Sequence, residues 1–182
     1  DIDVFIIPDK SISAKKARSK YFSDEHFSAS DVFKTIASAG GISVMAHPFA
    51  HPLEVPFSAD ELRILPDASE ACNARAWMLN KEANKMAKDF AWKRNLAELG
   101  GSDAHLVEEI GNAYTVVGCD RLSELKEAIL DHRTHATLEK NTKRIFKGRS
   151  QRIKAKKDGR SSKKLAAFGV YMKCAILDLF KK

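Results

Sequence analysis

Apolar and polar positions alternate between two periods along this chain, and the switches mark its elements. Residues 2–7 are almost all apolar and read as a buried strand, closed by Pro8-Asp9-Lys10-Ser11. Residues 14–27 are polar and read as a loop. Ser30-Asp31 can cap a helix running to about Ala39, with Val32, Phe33, Ile36 and Ala37 as its apolar stripe, and Gly40-Gly41 stops it. Residues 42–46 form the next strand. Residues 49–58, flanked or broken by Pro48, Pro52 and Pro56, must be loop, and Ala59-Asp60-Glu61-Leu62 starts a short helix. Ala68 through Cys72 is a weak strand. Leu79 to about Asn95 is a helix with Ala83, Met86, Ala87, Phe90 and Ala91 on one side. Residues 113–117 (Ala-Tyr-Thr-Val-Val) form a strand, Leu122–Asp131 a helix, and residues 135–138 a last short strand.

Helices and strands that alternate at roughly 25–35-residue spacing define an α/β protein with a parallel sheet or barrel. Three to four such units fall short of a complete eight-unit barrel, which takes about 250 residues. The expected architecture is therefore a smaller, incomplete βα barrel over residues 1–138. Beyond Leu138 the apolar period is lost. Residues 139–164 read as a basic linker. Residues 165–182 read as an amphipathic helix, with Leu165, Phe168, Tyr171, Met172, Ala175, Ile176, Leu179 and Phe180 at helical spacing.

Charge sharpens this division. The 182 residues carry a formal net charge of +7, yet residues 141–182 hold fourteen Lys or Arg against two Asp, so by difference the first 140 residues are mildly acidic. The basic character belongs to the tail. In it, Lys143, Arg144, Lys147, Arg149, Arg152, Lys154, Lys156 and Lys157 are candidate phosphate contacts for nucleic acid. The Lys-flanked apolar face of the last helix also suits an anionic membrane surface, and a solvated linker with a docked helix is the plainer alternative. No stretch of the sequence approaches the ~20 apolar residues of a membrane span. The three cysteines, Cys72, Cys119 and Cys174, are too few and scattered for a disulfide framework and read as small buried hydrophobes in a reducing, cytoplasmic setting. The same plain reading, packing, applies to Trp77 and Trp92. His26, His132 and His135 read as surface residues, and His51 as a solvated loop histidine.

Chemistry concentrates at two strand ends. Gly101-Ser102-Asp103-Ala104-His105 sets a carboxylate and an imidazole two residues apart after a Gly-Gly pair; on an extended strand both would share one face. Such a pair suits hard or borderline divalent cations. Upstream, residues 42–46 end in His47-Pro48. Both signals put a metal-ligand type at the C-terminal end of a strand, where α/β barrels carry their chemistry.

Ala46-His47-Pro48, Glu70-Ala71-Cys72-Asn73-Ala74-Arg75, Gly101-Ser102-Asp103-Ala104-His105 and Ile110-Gly111-Asn112-Ala113-Tyr114-Thr115 occur in an order that resembles the polymerase and histidinol phosphatase (PHP) family, over residues 1 to about 138. The resemblance implies a distorted βα barrel of the PHP type with a basic helical extension. It further implies divalent metal ions (Mn, Zn, Fe or Mg) and hydrolysis of a phosphoester: a nucleotide, a short oligonucleotide or a small phosphate monoester. It makes His47, Asp103 and His105 metal ligands and puts Asn73 and Arg75 near the site rim. There the planar guanidinium of Arg75 suits a phosphate. Two departures stand beside it. The family's opening His-x-His pair is absent, as if the N-terminal strands were missing, and Ser11 stands where a bridging Glu is expected. These departures favour a rival expectation, a catalytically degenerate PHP-like module that binds nucleic acid or an anionic membrane through its basic tail.

Overall fold

The computed structural model describes residues 29–50 and 64–179. The expected strand at 2–7, Ser11, His26, His51 and the helix start at 59–62 lie outside the described residues. Within them the chain is mixed α/β. Helix α1 (Ala29–Ser38) leads to strand β1 (Val44–Met45) and then to β2 (Ala68–Asn73). Helix α2 (Ala83–Arg94), strand β3 (Ala97–Gly101), strand β4 (Ala113–Val117), helix α3 (Leu125–Leu130) and strand β5 (Thr134–Leu138) follow. Helices α4 (Arg144–Asp158) and α5 (Ser161–Leu179) complete the chain.

Strands β1, β2 and β3 form a parallel sheet in that order, and β4 pairs antiparallel with β5. No closed barrel exists among the described residues: five strands lie in two separate ladders, whereas a small filled barrel needs about eight. The central strand β2 is buried along nearly its whole length, as a parallel strand covered on both faces must be. Phe33, Met45, Phe90, Ala91 and Leu96 pack on one side of the sheet, with Phe49 edge-on to Phe90 at 5.8 Å. Ile42, Ala68, Ala97 and Ile129 pack on the other.

The helix ends follow from local sequence. Gly40, at φ +73°, closes α1 while the Gly41 N–H reaches the Ile36 carbonyl at 2.9 Å, a Schellman stop. Asn95 does the same for α2 at φ +52°, with the Leu96 N–H on the Ala91 carbonyl at 2.9 Å; Asn is the side chain after Gly that best tolerates this region. Gly100 explains how the β4–β5 ribbon meets β3. Thr115 Oγ1 bonds both its N–H, at 2.8 Å, and its carbonyl, at 3.0 Å, and a Cβ there would run into the Tyr114 carbonyl.

The stretch 139–164 differs from its reading as a linker, since most of it is helix α4. Three features the linear pattern hides hold it. Gly148 is buried against Tyr171, where a Cβ would lie 2.6 Å from the Tyr171 Cα, so α4 and α5 approach closely as an antiparallel hairpin. Asp178, at the far end of α5, accepts the Ile145 N–H at 2.8 Å and the Arg144 N–H at 3.3 Å, capping the first turn of α4. At the turn Gly159 has φ +84°, and Asp158 pairs with Arg160 and Lys163, which hold its carboxyl well below the usual range. The hairpin is also fastened to the body. The Thr142 N–H donates to the Ala74 carbonyl at 2.8 Å, Trp77 Nε1 donates to the Thr142 carbonyl at 3.1 Å, and Arg144 lies 4.4 Å over the Trp77 ring. No described helix is long and apolar enough to cross a membrane. Cys72, Cys119 and Cys174 are free thiols.

Candidate functional site

The residues singled out by sequence gather at the C-terminal ends of the three parallel strands. His47 lies two residues past β1, Glu70 sits within β2, and Asp103 and His105 follow β3. The backbone turns sharply at two of these positions: His47 has φ +30° and Asp103 φ +47°. L-residues enter that region at a cost and cluster there at functional sites. The pair after β3 therefore meets through a turn rather than through strand alternation. Its side chains approach to 3.6 Å, His105 Nε2 to Asp103 Oδ1, and both remain partly open to solvent.

Glu70 organises the left side of this group. Its Oε2 accepts the His47 backbone N–H at 2.7 Å and the Asn73 amide at 2.9 Å. Its Oε1 lies against Gly101, where a Cβ would displace it, so the second glycine of the Gly-Gly pair is what lets a carboxylate fit between β2 and β3. Burial pushes the Glu70 carboxyl above its ordinary value; the two donors and His47 pull it back, and the Asp103 charge raises it further. Through that carboxylate the ends of β1, β2 and β3 sense one another. Asn73 is itself buried. Its Oδ1 receives the N–H groups of Arg75 and Ala76, both at 2.8 Å, and turns the chain into the next helical turn.

The right side is built by a residue that periodicity does not reveal. Glu109 is fully buried. Its Oε1 lies 3.1 Å from Arg75 Nη1, and its Oε2 accepts the His105 backbone N–H at 3.0 Å. Arg75 is 6% exposed, so its guanidinium sits beneath the His105 loop, paired to Glu109. Glu108, its neighbour, is exposed and pairs instead with Arg149 of α4 at 2.7 Å. In the sequence the two glutamates are indistinguishable; only the single helical turn at 107–109 sorts one inward and one outward. Ser102 closes the loop, accepting the Gly111 N–H at 2.9 Å and donating to the Ala113 carbonyl at 2.8 Å. Partial burial lowers the His105 imidazole below its ordinary pKa, helped by the positive charges of Arg75 and Lys154 and opposed by Asp103 and Glu109. The shift favours the neutral ring, which has a nitrogen lone pair to offer.

The candidate phosphate contacts of the tail divide by location. Arg144 is stacked on Trp77, Arg149 stands near Phe146 and on Glu108, and Arg152 lies over Phe168 and Tyr171. Lys143, Lys154, Lys156 and Lys157 are exposed, and Lys147 is half-buried. His132 and His135 are exposed as well; Trp92 is too, at 80%, and does not pack as expected of it.

Residues 81–134 match the family described as PHP-associated. This supports a PHP-family C-terminal region there, and it contains Asp103, His105 and Glu109. No curated protein and no solved structure matches the chain.

Proposed function

We propose that this chain carries a PHP-type site for metal-dependent hydrolysis of phosphoesters, with His47, Asp103 and His105 as the residues that would hold divalent metal and a distorted βα barrel as the framework. The observation that carries the reading is the Asp103–His105 pair, 3.6 Å apart beyond β3 and inside the segment similar to PHP-associated proteins. A carboxylate oxygen and a neutral imidazole nitrogen fit a hard or borderline divalent cation in kind. In number they do not suffice: among the described residues no three His, Cys, Asp or Glu side chains form a group that could hold a metal ion. The pair supplies part of a coordination sphere.

Divalent metal held there would lower the pKa of a bound water and neutralise phosphoryl oxygens. The chain's own residues do the positioning. Glu109 grips the His105 N–H and is itself fixed by Arg75, so the imidazole projects from a loop with little freedom. Glu70 grips the His47 N–H in the same way from the opposite side. Arg75 lends positive charge beneath the pair, felt at His105, in keeping with a site for an anionic substrate.

The test is release of nitrophenol from 4-nitrophenyl phosphate with added Mn²⁺, Zn²⁺, Fe²⁺ or Mg²⁺, alongside elemental analysis of the purified protein. Turnover that depends on metal and disappears in a folded Asp103→Ala variant supports the reading. Absence of turnover with every metal, or turnover that survives Asp103→Ala, ends it.

A further inference from the structure

The α4–α5 hairpin encloses a groove of about 490 Å³ lined by Arg149, Arg152, Ile153 and Lys156 from α4 and Lys164 and Phe168 from α5. Four of the six lining residues are cations and none is an anion. Both described carboxylates of the hairpin are committed elsewhere, Asp158 to the turn and Asp178 to the cap of α4. The floor is not simply apolar. Phe168 is 46% exposed, and the Arg152 guanidinium lies 5.5 Å from its ring centroid and 4.8 Å from that of Tyr171. Stacking on rings fixes the plane of a guanidinium and leaves its edge donors free. In the linear sequence the basic run has only Phe146 within it; folding the hairpin brings the aromatics of α5 between the cations of α4.

A half-exposed ring among cations complements a ligand that repeats a planar base and a phosphate. That is the recognition chemistry of single strands. A membrane-surface helix would instead present a flat apolar face with cations at its flanks; here the cations line the same concavity as the ring. One wall of the groove also touches the loop that carries the candidate site. Arg149 lines the groove and at the same time pairs with Glu108 at 2.7 Å, beside the Glu109 that holds His105.

We propose that the α4–α5 groove binds single-stranded nucleic acid, with a base stacked on Phe168 and backbone phosphates held by Arg152, Lys156 and Lys164. Delivery of that strand to the site beyond β3 rests on the hydrolytic reading; binding in the groove does not.

The test is fluorescence anisotropy of the full chain with labelled oligo(U) and oligo(dT) of about 16 nucleotides, the upper site size for such grooves. EDTA is present so that hydrolysis cannot consume the probe. Binding is expected at low salt. In the variant carrying Lys156→Gln and Lys164→Gln, the slope of log K against log salt should shrink by about 1.4, since each phosphate contact on a single strand contributes about 0.7. Phe168→Leu should weaken binding about fivefold or more with the slope unchanged, the loss of one stacked base. Trp92→Leu, on the exposed side of α2 and outside the groove, should bind as the parent does. Circular dichroism of each variant verifies that the hairpin remains helical. Four results would overturn the proposal: no binding at low salt; Phe168→Leu equal to the parent with inorganic polyphosphate displacing the strand as well as oligonucleotide does; loss of binding in Trp92→Leu; or retention on phosphatidylserine vesicles with none on the strand.

Discussion

Glu109 holds the backbone N–H of His105 at 3.0 Å while its other oxygen meets Arg75 at 3.1 Å, so the position of the candidate imidazole is set by an ion pair shut away from water. Buried pairs of this kind add little net stability, but losing one partner leaves the other charge stranded. Glu109→Ala should therefore destabilise the chain by about 3–5 kcal/mol. Replacing both partners, Arg75→Met with Glu109→Leu, should recover most of that loss, because apolar residues of similar volume can occupy such a site at little cost. Urea unfolding of the single and double variants measures both. Equal loss in the two would mean the pair does not act as a unit.

The raised pKa of Glu70 gives the stability of the fold a direction with pH. Burial makes the folded state hold the Glu70 proton more tightly than the unfolded chain does, whose carboxyl titrates near the ordinary value of 4.5. The favourable term is complete below that value and fades as pH rises through the higher folded pKa. Glu70→Gln keeps an oxygen for the His47 N–H and removes the ionisation. The difference in stability between parent and Glu70→Gln should therefore shift in favour of the variant as pH climbs above 4.5. Thermal unfolding across a pH series checks it; a parent that gains on the variant over that window contradicts the assignment of burial as the dominant cause.

Asp103 and His105 should report on each other by titration. The Asp103 carboxylate raises the His105 pKa against burial and against the charges of Arg75 and Lys154, and it raises Glu70 as well. Asp103→Asn keeps a side chain suited to the left-handed backbone and deletes the charge. Both the His105 and the Glu70 titrations should then move to lower pH, read from the imidazole and carboxyl resonances. An unmoved His105 would mean the 3.6 Å approach is not maintained in solution.

Elements with a strong period were legible in the sequence: α1, β4, the core of α2 and the strand ends that carry His47 and Asp103. What was not legible depends on contacts distant in sequence. Helix α4 has no apolar stripe wide enough to announce itself, because it meets the rings of α5 through Gly148 and its own arginines. Glu109 looks like Glu108 until the turn at 107–109 points one inward. Arg75, read as a rim residue, has its guanidinium fixed below by a glutamate thirty-four positions away. Asp103 and His105 lie where the motif predicts, but a left-handed turn rather than strand alternation brings them together. The β-ribbon against β3 needed Gly100, whose role appears only when Thr115 is seen straddling it.

Gly100→Ala should separate these layers. The added methyl would meet the Tyr114 carbonyl, backbone that cannot rotate away as a side chain could, and Thr115 would lose its two bonds to the Gly100 peptide. Overpacking of this kind costs about 1–3 kcal/mol. The displaced ribbon carries β4, directly after the loop that Ser102 closes onto Ala113, so the variant should also loosen the His105 loop. Its amide exchange should rise at 102–113 ahead of global unfolding.

Asp178→Ala tests whether the hairpin folds as the capped unit described. The carboxylate receives two N–H groups from the start of α4, at the positive end of that helix dipole. Removing a capping oxygen costs about 0.5–2 kcal/mol, and here the cost falls on the first turn of a helix with no apolar stripe of its own. Hydrogen exchange should quicken first at Arg144–Gly148, then along α4, while β2 and α2 keep their protection. The Trp77 environment should change with it, because Arg144 stacks on that ring and Thr142 accepts its indole N–H; tryptophan fluorescence at low denaturant is the readout. Uniform loss of protection across body and hairpin would instead mean that the two unfold together, and that the basic hairpin is part of the α/β core's own cooperative unit.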